Sequence, residues 1–267
     1  ESFEVSEDGL TITMKLRPEL KWSDGTPITS QDFLFYYNGV TDPAVESPRY
    51  NDFFIGEEKI LLEAPDPETL VWTLPTPDRT ALATVASVPA PYHILGKIYE
   101  EGGAEALKTA WDTDTPVSEL VWSGPFVLSE YIPDERYVFT PNQYFGDWNV
   151  DEGGQKLPYV AERLYTIAEL PAQLNLFVAG DIDSYSMSSI DDLSVVLNAV
   201  EQGDIDATVL QNAAQQTTNS FYMFNWNKAD DPFKEKLFRD KRFRQAMSYL
   251  TDRDSITEIV DGFGAPA

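Results

Sequence analysis

The chain has 267 residues, of which 42% are hydrophobic and 13% aromatic, and this is the composition of a folded globular protein. Its 45 acidic and 19 basic side chains give a formal net charge of −26. Nucleic acids and anionic membranes are held by Lys and Arg, so this charge excludes both as partners. The chain has no cysteine and one histidine, which excludes disulfides, thiolate chemistry and sites that need two imidazoles.

The two ends of the sequence and its two uncharged stretches bear on targeting and on membrane insertion. The chain opens without Met or a signal peptide and reaches a strand pattern by the tenth residue, and it stops directly after a helix pattern. We therefore expect a piece of a longer protein. Residues 80–96 contain two prolines and residues 207–227 are mostly polar, so neither stretch is predicted to cross a membrane.

The first half of the chain predicts strands and one capped helix. Alternating apolar residues over 10–16 predict a strand, and Asp24-Gly25 predicts the tight turn of a hairpin. Thr29 is a candidate N-cap with Asp32 three residues later, and apolar residues at helical spacing follow. Further predicted elements are strands KILLEA and TLVWTL, a helix within ALATVASV, a loop PAPYHIL, a helix stopped at Gly102-Gly103 and a helix AEALKTAW.

The second half predicts strands that alternate with helices. Two aromatic strands flank a turn at Pro133-Asp134, and another strand lies within AERLYTIAEL. Helices ending at Gly180 and Gly203 are each followed by an Asp-Ile-Asp segment, DIDSYSM and DIDATVL, both predicted as strands. This alternation predicts an α/β layer with mixed or parallel strands. A strand NSFYMFNWN and a pair of short helices close the chain.

No motif in the sequence marks a catalytic or cofactor site. Nucleotide-binding glycine loops, the GxSxG elbow and the SxxK pair are absent from the sequence, and the acidic pairs lack calcium-loop spacing. His93 is predicted to be a partly buried loop residue rather than a general base. We predict no enzyme, no cofactor and no metal. A glycosidase carboxylate pair is the enzymatic alternative that 45 acidic residues leave open.

Aromatic residues are the more informative candidates. Most of the six Trp and thirteen Tyr residues are expected in the core. Trp122, beside the turn Ser123-Gly124-Pro125, is predicted to face a cleft, where aromatic planes bind sugars or peptide side chains.

Three stretches together resemble the extracellular solute-binding proteins of family 5, the peptide- and nickel-binding receptors of ABC importers. They are LRPELKWSDGTPITSQDFLFYYN (16–38), SGPFVLSEYIPDERYVFTPNQYFGDW (123–148) and FRQAMSYLTDRDSITEIVDGFGAPA (243–267). The match follows the order of the family over nearly the whole chain. One departure is PNQY at 141–144, where the family usually has Asn-Pro.

The resemblance implies an α/β fold like that of the type II periplasmic binding proteins. It places a small α/β lobe at 1–118, a portion of a larger mixed-sheet lobe at 119–215, and the start of a closing lobe at 216–267. It also implies an exported monomer, periplasmic or held outside the cell by a lipid anchor, that delivers its ligand to the permease subunits of an ABC transporter.

The resemblance assigns ligand contacts by position. Arg49 and Tyr50 match a small-lobe segment that reaches the ligand, and Ser87, Tyr92 and Trp122 lie on the same rim. We expect an oligopeptide or dipeptide as ligand, with an oligosaccharide as the alternative and nickel chelates less favoured. Outside the receptor class, the alternatives are a secreted carbohydrate hydrolase and a scaffold without ligand.

Overall fold

The computed structural model describes residues 2–86, 88–187, 190–210 and 222–256. Its strands are β1 (Ser2–Val5), β2 (Thr11–Lys15), β3 (Phe54–Ile55), β4 (Glu58–Lys59), β5 (Leu61–Asp66), β6 (Thr69–Thr73), β7 (Phe126–Ile132), β8 (Arg136–Pro141) and β9 (Arg163–Thr166). Its helices are α1 (Ser30–Val40), α2 (Ala81–Val85), α3 (Lys97–Lys108), α4 (Leu170–Ala179), α5 (Ile190–Gln202), α6 (Pro232–Arg239), α7 (Lys241–Leu250) and α8 (Arg253–Ile256). None of the helices in these ranges combines the length and the apolar run that a bilayer crossing needs.

The chain divides into two compact units, Glu1–Ile167 and Ala168–Ala267. The first unit contains a four-stranded sheet in the order β1-β2-β6-β5, the hairpin β3-β4, and a three-stranded sheet in the order β7-β8-β9. The second unit contains helices α4 to α8. Residue 118, predicted as a lobe boundary, lies inside the first unit. The lobe limits at 118 and 215 stay predictions.

The helix and hairpin predictions of the first half are confirmed. Helix α1 begins directly after Thr29, and the Asp32 side chain accepts a hydrogen bond from the Thr29 N–H at 2.7 Å. Strands β5 and β6 pair as the predicted hairpin. Helix α3 is broken at Gly103, whose φ of 67° leaves the helical region, so the predicted stop is real although helix resumes after it.

Two predictions about strands are wrong for the described residues. Every strand pairing there is antiparallel. Short turns reverse the chain in the hairpins β1-β2, β3-β4, β5-β6 and β7-β8, and β6 returns beside β2 in the opposite direction after a longer connection. Residues 181–187 and 204–210 form no strand, since a strand requires a hydrogen-bonded neighbour and the described residues supply none. Residues 222–227 also lack strand structure, and the rest of that predicted strand lies outside the described residues.

The core of the first unit packs α1 and α2 against the four-stranded sheet. Trp72 and Phe53 are both 0% exposed, and their rings stack with centroids 5.9 Å apart. Tyr37 lies edge-on to both rings, at 5.4 Å from Phe53 and 5.6 Å from Trp72. The other buried members of this cluster are Ile12, Val40, Ile60, Leu62, Leu70, Leu74, Ala81 and Val85. Burial of several hundred Å² of aromatic surface makes this cluster the main source of the unit's stability.

Tyr37 makes the stability of this core depend on pH in the alkaline range. Its hydroxyl donates a hydrogen bond to the Ile60 carbonyl at 2.6 Å, and burial raises its pKa from 10.0 to about 12. Because the folded pKa exceeds the unfolded one, the neutral phenol contributes stability that is complete below pH 10 and is lost as the pH rises towards about 12. We expect Tyr37→Phe to lower the free energy of unfolding by about 1–2 kcal/mol at neutral pH and to flatten its decline above pH 10. Urea denaturation across this pH range checks it, and an equally steep decline in both proteins would contradict it.

Candidate functional site

The hairpin turn after β2 is the centre of the candidate site. Trp22 N–H donates to the Thr26 carbonyl at 2.8 Å, and Gly25 N–H returns a bond to the Trp22 carbonyl at 2.9 Å. Gly25 has φ +89°, and a Cβ there would lie 3.2 Å from the Tyr144 ring. The turn therefore needs glycine for its backbone conformation and for the close approach of Tyr144.

Seven residues at and around this turn form what we call the junction cluster: Trp22, Ser23, Asp24, Asp32, Tyr92, His93 and Trp122. His93 Nε2 lies 2.8 Å from Asp24 Oδ2. Burial raises the pKa of Asp24, but hydrogen bonds from the Thr26 N–H and from His93 outweigh it, so the pKa lies below its ordinary value. The His93 side chain is 27% exposed, which confirms the predicted partial burial. The residue lies in the helical turn Tyr92–Gly96 and not in the predicted loop, because this segment continues directly into α3.

Asp32 joins three segments at one buried carboxylate. The residue is 4% exposed. Its Oδ1 accepts from Trp22 Nε1 at 3.3 Å and from Tyr92 N–H at 3.1 Å, while Oδ2 accepts from Thr29 N–H at 2.7 Å. The start of α1, the hairpin turn and the loop before α3 are therefore bound to the same side chain.

Trp122 is bound to the hairpin turn by a reciprocal pair of hydrogen bonds. Ser23 N–H donates to the Trp122 carbonyl at 2.9 Å, and Trp122 N–H donates to Ser23 Oγ at 3.0 Å. Its half-buried ring lies edge-on to Phe139 of β8, with centroids 6.0 Å apart. These contacts connect the turn that follows β2 to the segment before β7 and to Phe139 of β8.

Tyr92 lies at the start of a helical turn that leads into α3. It is 37% exposed, its ring is edge-on to Phe35 at 5.6 Å, and its hydroxyl donates to Glu100 Oε1 at 2.8 Å. The hydrogen bond to the Glu100 carboxylate raises the pKa of Tyr92. A Cβ on Gly96 would lie 2.3 Å from the Tyr92 ring, so glycine at 96 makes room for this ring.

Arg49 and Tyr50 form a separate cluster near the end of α1. Arg49 Nε donates to Asp52 Oδ2 at 2.8 Å, and Nη1 donates to the Tyr36 hydroxyl at 2.8 Å. The hydrogen bond that Arg49 donates to Asp52 raises the pKa of Arg49 above its ordinary value. The Tyr50 ring lies beside Phe54, with centroids 5.0 Å apart. Bidentate capture of a ligand carboxylate by Arg49 would therefore require one of these bonds to be exchanged.

Of the five predicted site residues, the structure brings two together. Tyr92 and Trp122 both attach to the junction cluster, whereas Arg49 and Tyr50 belong to the cluster around Tyr36. Ser87 lies outside the described residues. Sequence reasoning missed Ser23 and Asp24 as partners of the rim, and it found Asp32 only as a helix-capping residue.

The second unit has a cavity of its own. It has a volume of about 620 Å³ and is lined by residues of 177–187 and 204–210 together with Val196. None of the predicted site residues lines it. Within the described residues, no group of three or more His, Cys, Asp or Glu side chains has a geometry that could hold a metal ion.

Comparison with known proteins places this arrangement in a family. The sequence model of the bacterial extracellular solute-binding proteins, family 5 Middle, matches residues 1–267, and the chain belongs to this family. A "probable ABC transporter-binding protein" of Deinococcus radiodurans is 34% identical over 270 residues, which cover 100% of this chain and 45% of that protein. The periplasmic murein peptide-binding protein MppA of Escherichia coli is 26% identical over 277 residues, covering 97% of this chain and 45% of that protein.

The solved structures show the same fold. The periplasmic binding protein MelB of Agrobacterium fabrum, in complex with stachyose, superposes with a TM-score of 0.74 and is 28% identical, over 99% of this chain and 41% of that one. The predicted periplasmic-binding-protein fold of mixed α/β content is therefore confirmed. The chain spans less than half the length of these relatives.

The contact between Gly25 and Tyr144 can be tested with a matched glycine. Gly25→Ala introduces both an unfavourable φ and a close contact, whereas Gly56→Ala introduces only an unfavourable φ of +66°, because nothing lies within 4 Å. We expect Gly56→Ala to cost about 1 kcal/mol and Gly25→Ala about 1–2 kcal/mol more. Thermal unfolding of the two variants measures the difference. Equal losses would show that Tyr144 does not press on the turn.

Proposed function

We propose that this chain is part of the substrate-binding receptor of an ABC importer. The observation that carries the proposal is the match to family 5 along the whole chain, together with 34% identity to an ABC transporter-binding protein over 100% of it. In this proposal the receptor captures a solute in a cleft between lobes, and closure over the ligand supplies affinity through tighter binding to the closed state. The receptor works as a monomer outside the cytoplasm, held by a lipid anchor where there is no outer membrane, and passes its ligand to the permease subunits.

We propose a short peptide, preferably a cationic one, as the ligand. The support is electrostatic, since two of the candidate contacts have a carboxylate beside them, Asp52 at Arg49 and Glu100 at Tyr92, and Asp24 lies beside the neighbouring His93. In a chain of net charge −26, carboxylates on a rim attract ammonium and guanidinium groups and repel anions. A murein peptide-binding relative is consistent with this ligand class.

An oligosaccharide is the second candidate, and one observation favours it. The structure that holds stachyose has 28% identity and a TM-score of 0.74 with this chain. Trp122 supplies the kind of half-buried indole on which sugar rings stack. The two candidates differ in how far their affinity depends on the carboxylates beside the candidate contacts. These carboxylates attract a cationic peptide, whereas a neutral sugar gains no affinity from their charge.

The site supports binding better than catalysis. The Asp24–His93 pair has the geometry of a carboxylate that orients an imidazole, but the hydrogen bonds of the described residues place no Ser, Thr or Cys nucleophile on this imidazole. A catalytic role would require such a nucleophile or a water at the second ring nitrogen. His93 Nδ1 is buried, and no hydroxyl or thiol of the described residues is its hydrogen-bond partner.

We propose Arg49, Tyr50, Ser87, Tyr92 and Trp122 as ligand contacts of the complete receptor. Tyr92 is supported by its exposed ring, and Trp122 by its position between the Ser23 turn and Phe139 of β8. Arg49 and Tyr50 are supported by the exposed guanidinium between Tyr36 and Asp52. Ser87 rests on the resemblance alone.

The ligand class can be read directly from the purified full-length receptor. We expect native mass spectrometry to show retained ligand that is released on denaturation as short peptides, because closed lobes exclude solvent and slow dissociation. Peptides rich in Lys or Arg would support the electrostatic argument. Sugar masses would overturn the peptide assignment while keeping the receptor, and a released product of hydrolysis would overturn the receptor itself.

Trp122 can be tested with a second tryptophan as control. Trp148 is also half-buried, and both indole Nε1 atoms are buried without a partner in the described residues. Removing a stacked indole from a site costs about 1–3 kcal/mol, so we expect Trp122→Ala to weaken binding of the retained ligand about tenfold or more. Trp148→Ala should lower thermal stability to a similar degree and leave the calorimetric Kd within about twofold. Equal effects on the two Kd values would remove Trp122 from the site.

A further inference from the structure

The loop that carries Tyr92 is fastened to a single residue of α1. Ala90 N–H donates to the Asp32 carbonyl at 3.1 Å, and Tyr92 N–H donates to Asp32 Oδ1 at 3.1 Å. Only Pro91 separates these two donors, so the backbone on either side of it is held at the same point. A loop that is held in this way keeps its position without a hydrogen bond from the Tyr92 side chain.

The same carboxylate also holds the hairpin turn to which Trp122 is bound. Trp22 Nε1 donates to Asp32 Oδ1, and the neighbouring Ser23 exchanges two hydrogen bonds with the Trp122 backbone. A displacement of Asp32 would therefore reach Tyr92 through one bond and Trp122 through the turn. Because Asp32 is 4% exposed, its side chain is not itself available to a ligand.

We propose that Asp32 is a positioning residue that sets the relative placement of Tyr92 and Trp122 for ligand capture. The inference rests on the proposed function for its link to binding, and on the geometry alone for its link to the loop. Helix capping accounts for one carboxylate oxygen, which accepts from Thr29 N–H. The other oxygen, Oδ1, is used entirely outside the helix, by Trp22 and Tyr92.

The chemistry of the site explains why a carboxylate is required. All three N–H groups point at the side chain as donors, from Thr29, Trp22 and Tyr92. An Asn amide has one acceptor oxygen, so in either orientation its NH₂ group would face at least one of these donors. In Asp32→Asn the amide oxygen can therefore accept either from the Thr29 N–H at the helix start or from the Trp22 and Tyr92 N–H groups, but not from both sides. The donors left on the NH₂ side lose a charge-assisted hydrogen bond.

Ser30 provides a matched control in the same turn of α1. It is 3% exposed, and its hydroxyl donates to the Asp66 carbonyl at 2.6 Å, which ties the start of the helix to the β5–β6 turn. Ser30→Ala removes a buried hydrogen bond at the first turn without touching the rim loop. A purely structural role for Asp32 would make the two variants behave alike.

The first arm of the test measures amide hydrogen exchange in the ligand-free, full-length receptor. We expect Asp32→Asn to raise the exchange rate of the Tyr92 amide about tenfold or more, since its acceptor is lost or weakened. Ser30→Ala should leave that rate within about twofold of the wild type at a comparable loss of Tm. Equal Tyr92 exchange in the two variants would overturn the positioning role. Should Asp32→Asn not fold, Asp32→Ser, which offers one short acceptor to the helix start, gives the same comparison.

The second arm measures calorimetric binding of two probes, trilysine and stachyose. Whichever probe binds the wild type should bind Asp32→Asn about tenfold more weakly and Ser30→Ala with an unchanged Kd. Unchanged binding by an Asp32→Asn protein whose Tyr92 amide exchanges faster would overturn the link to capture. If neither probe binds the wild type, the proposed ligand classes fail, while the exchange result still decides whether Asp32 positions the loop.

Discussion

The buried carboxylate of Asp32 is the interaction on which the rest of the first unit depends. Burying a charge is costly unless hydrogen bonds replace the water that is lost, and here three N–H groups do so. Those donors come from three segments that are remote in sequence or separated by a turn, so satisfying the charge forces them together. The Asp32 carboxylate therefore holds three segments next to one another: the start of α1, the Trp22 turn and the loop of Tyr92.

The strong acidity of the chain is accommodated partly by its own backbone. Asp42, Asp78 and Asp252 each accept a hydrogen bond from a backbone N–H two or three residues later, and such bonds lower their pKa values. A lowered folded pKa means that these carboxylates contribute stability above their unfolded pKa and lose it as the pH falls through the folded one. Many aspartates therefore close turns. Asp24 does so through the Thr26 N–H and also lies 2.8 Å from His93, whereas Asp52 pairs with the candidate ligand contact Arg49.

The candidate site was only partly accessible to sequence reasoning. Trp122 and Tyr92 could be selected because they are large aromatic residues in loops next to turn signals, and the structure attaches both to the junction cluster. Arg49 could be selected as a residue that binds the carboxylate of a ligand. Its pairing with Asp52 and Tyr36 could not be predicted, because it depends on how a short helical turn folds back on α1. The bonds of Ser23 to a residue 99 positions away have no local signal at all.

The sequence by itself determined the local elements and the family. The Thr29 cap, the Asp24-Gly25 turn and the β5–β6 hairpin follow from contacts between residues close in the chain, which composition and spacing record. Strand pairing was decided by the tertiary structure, because a strand exists only when a neighbour accepts its hydrogen bonds. Residues 181–187 and 204–210 have the sequence pattern of strands and no such neighbour in the described residues, and they form none. Asp32 shows the same division. Its role as a helix cap depends on neighbouring residues and is visible in the sequence. Its bonds to Trp22 and Tyr92 depend on the fold, which brings these two residues to the second carboxylate oxygen.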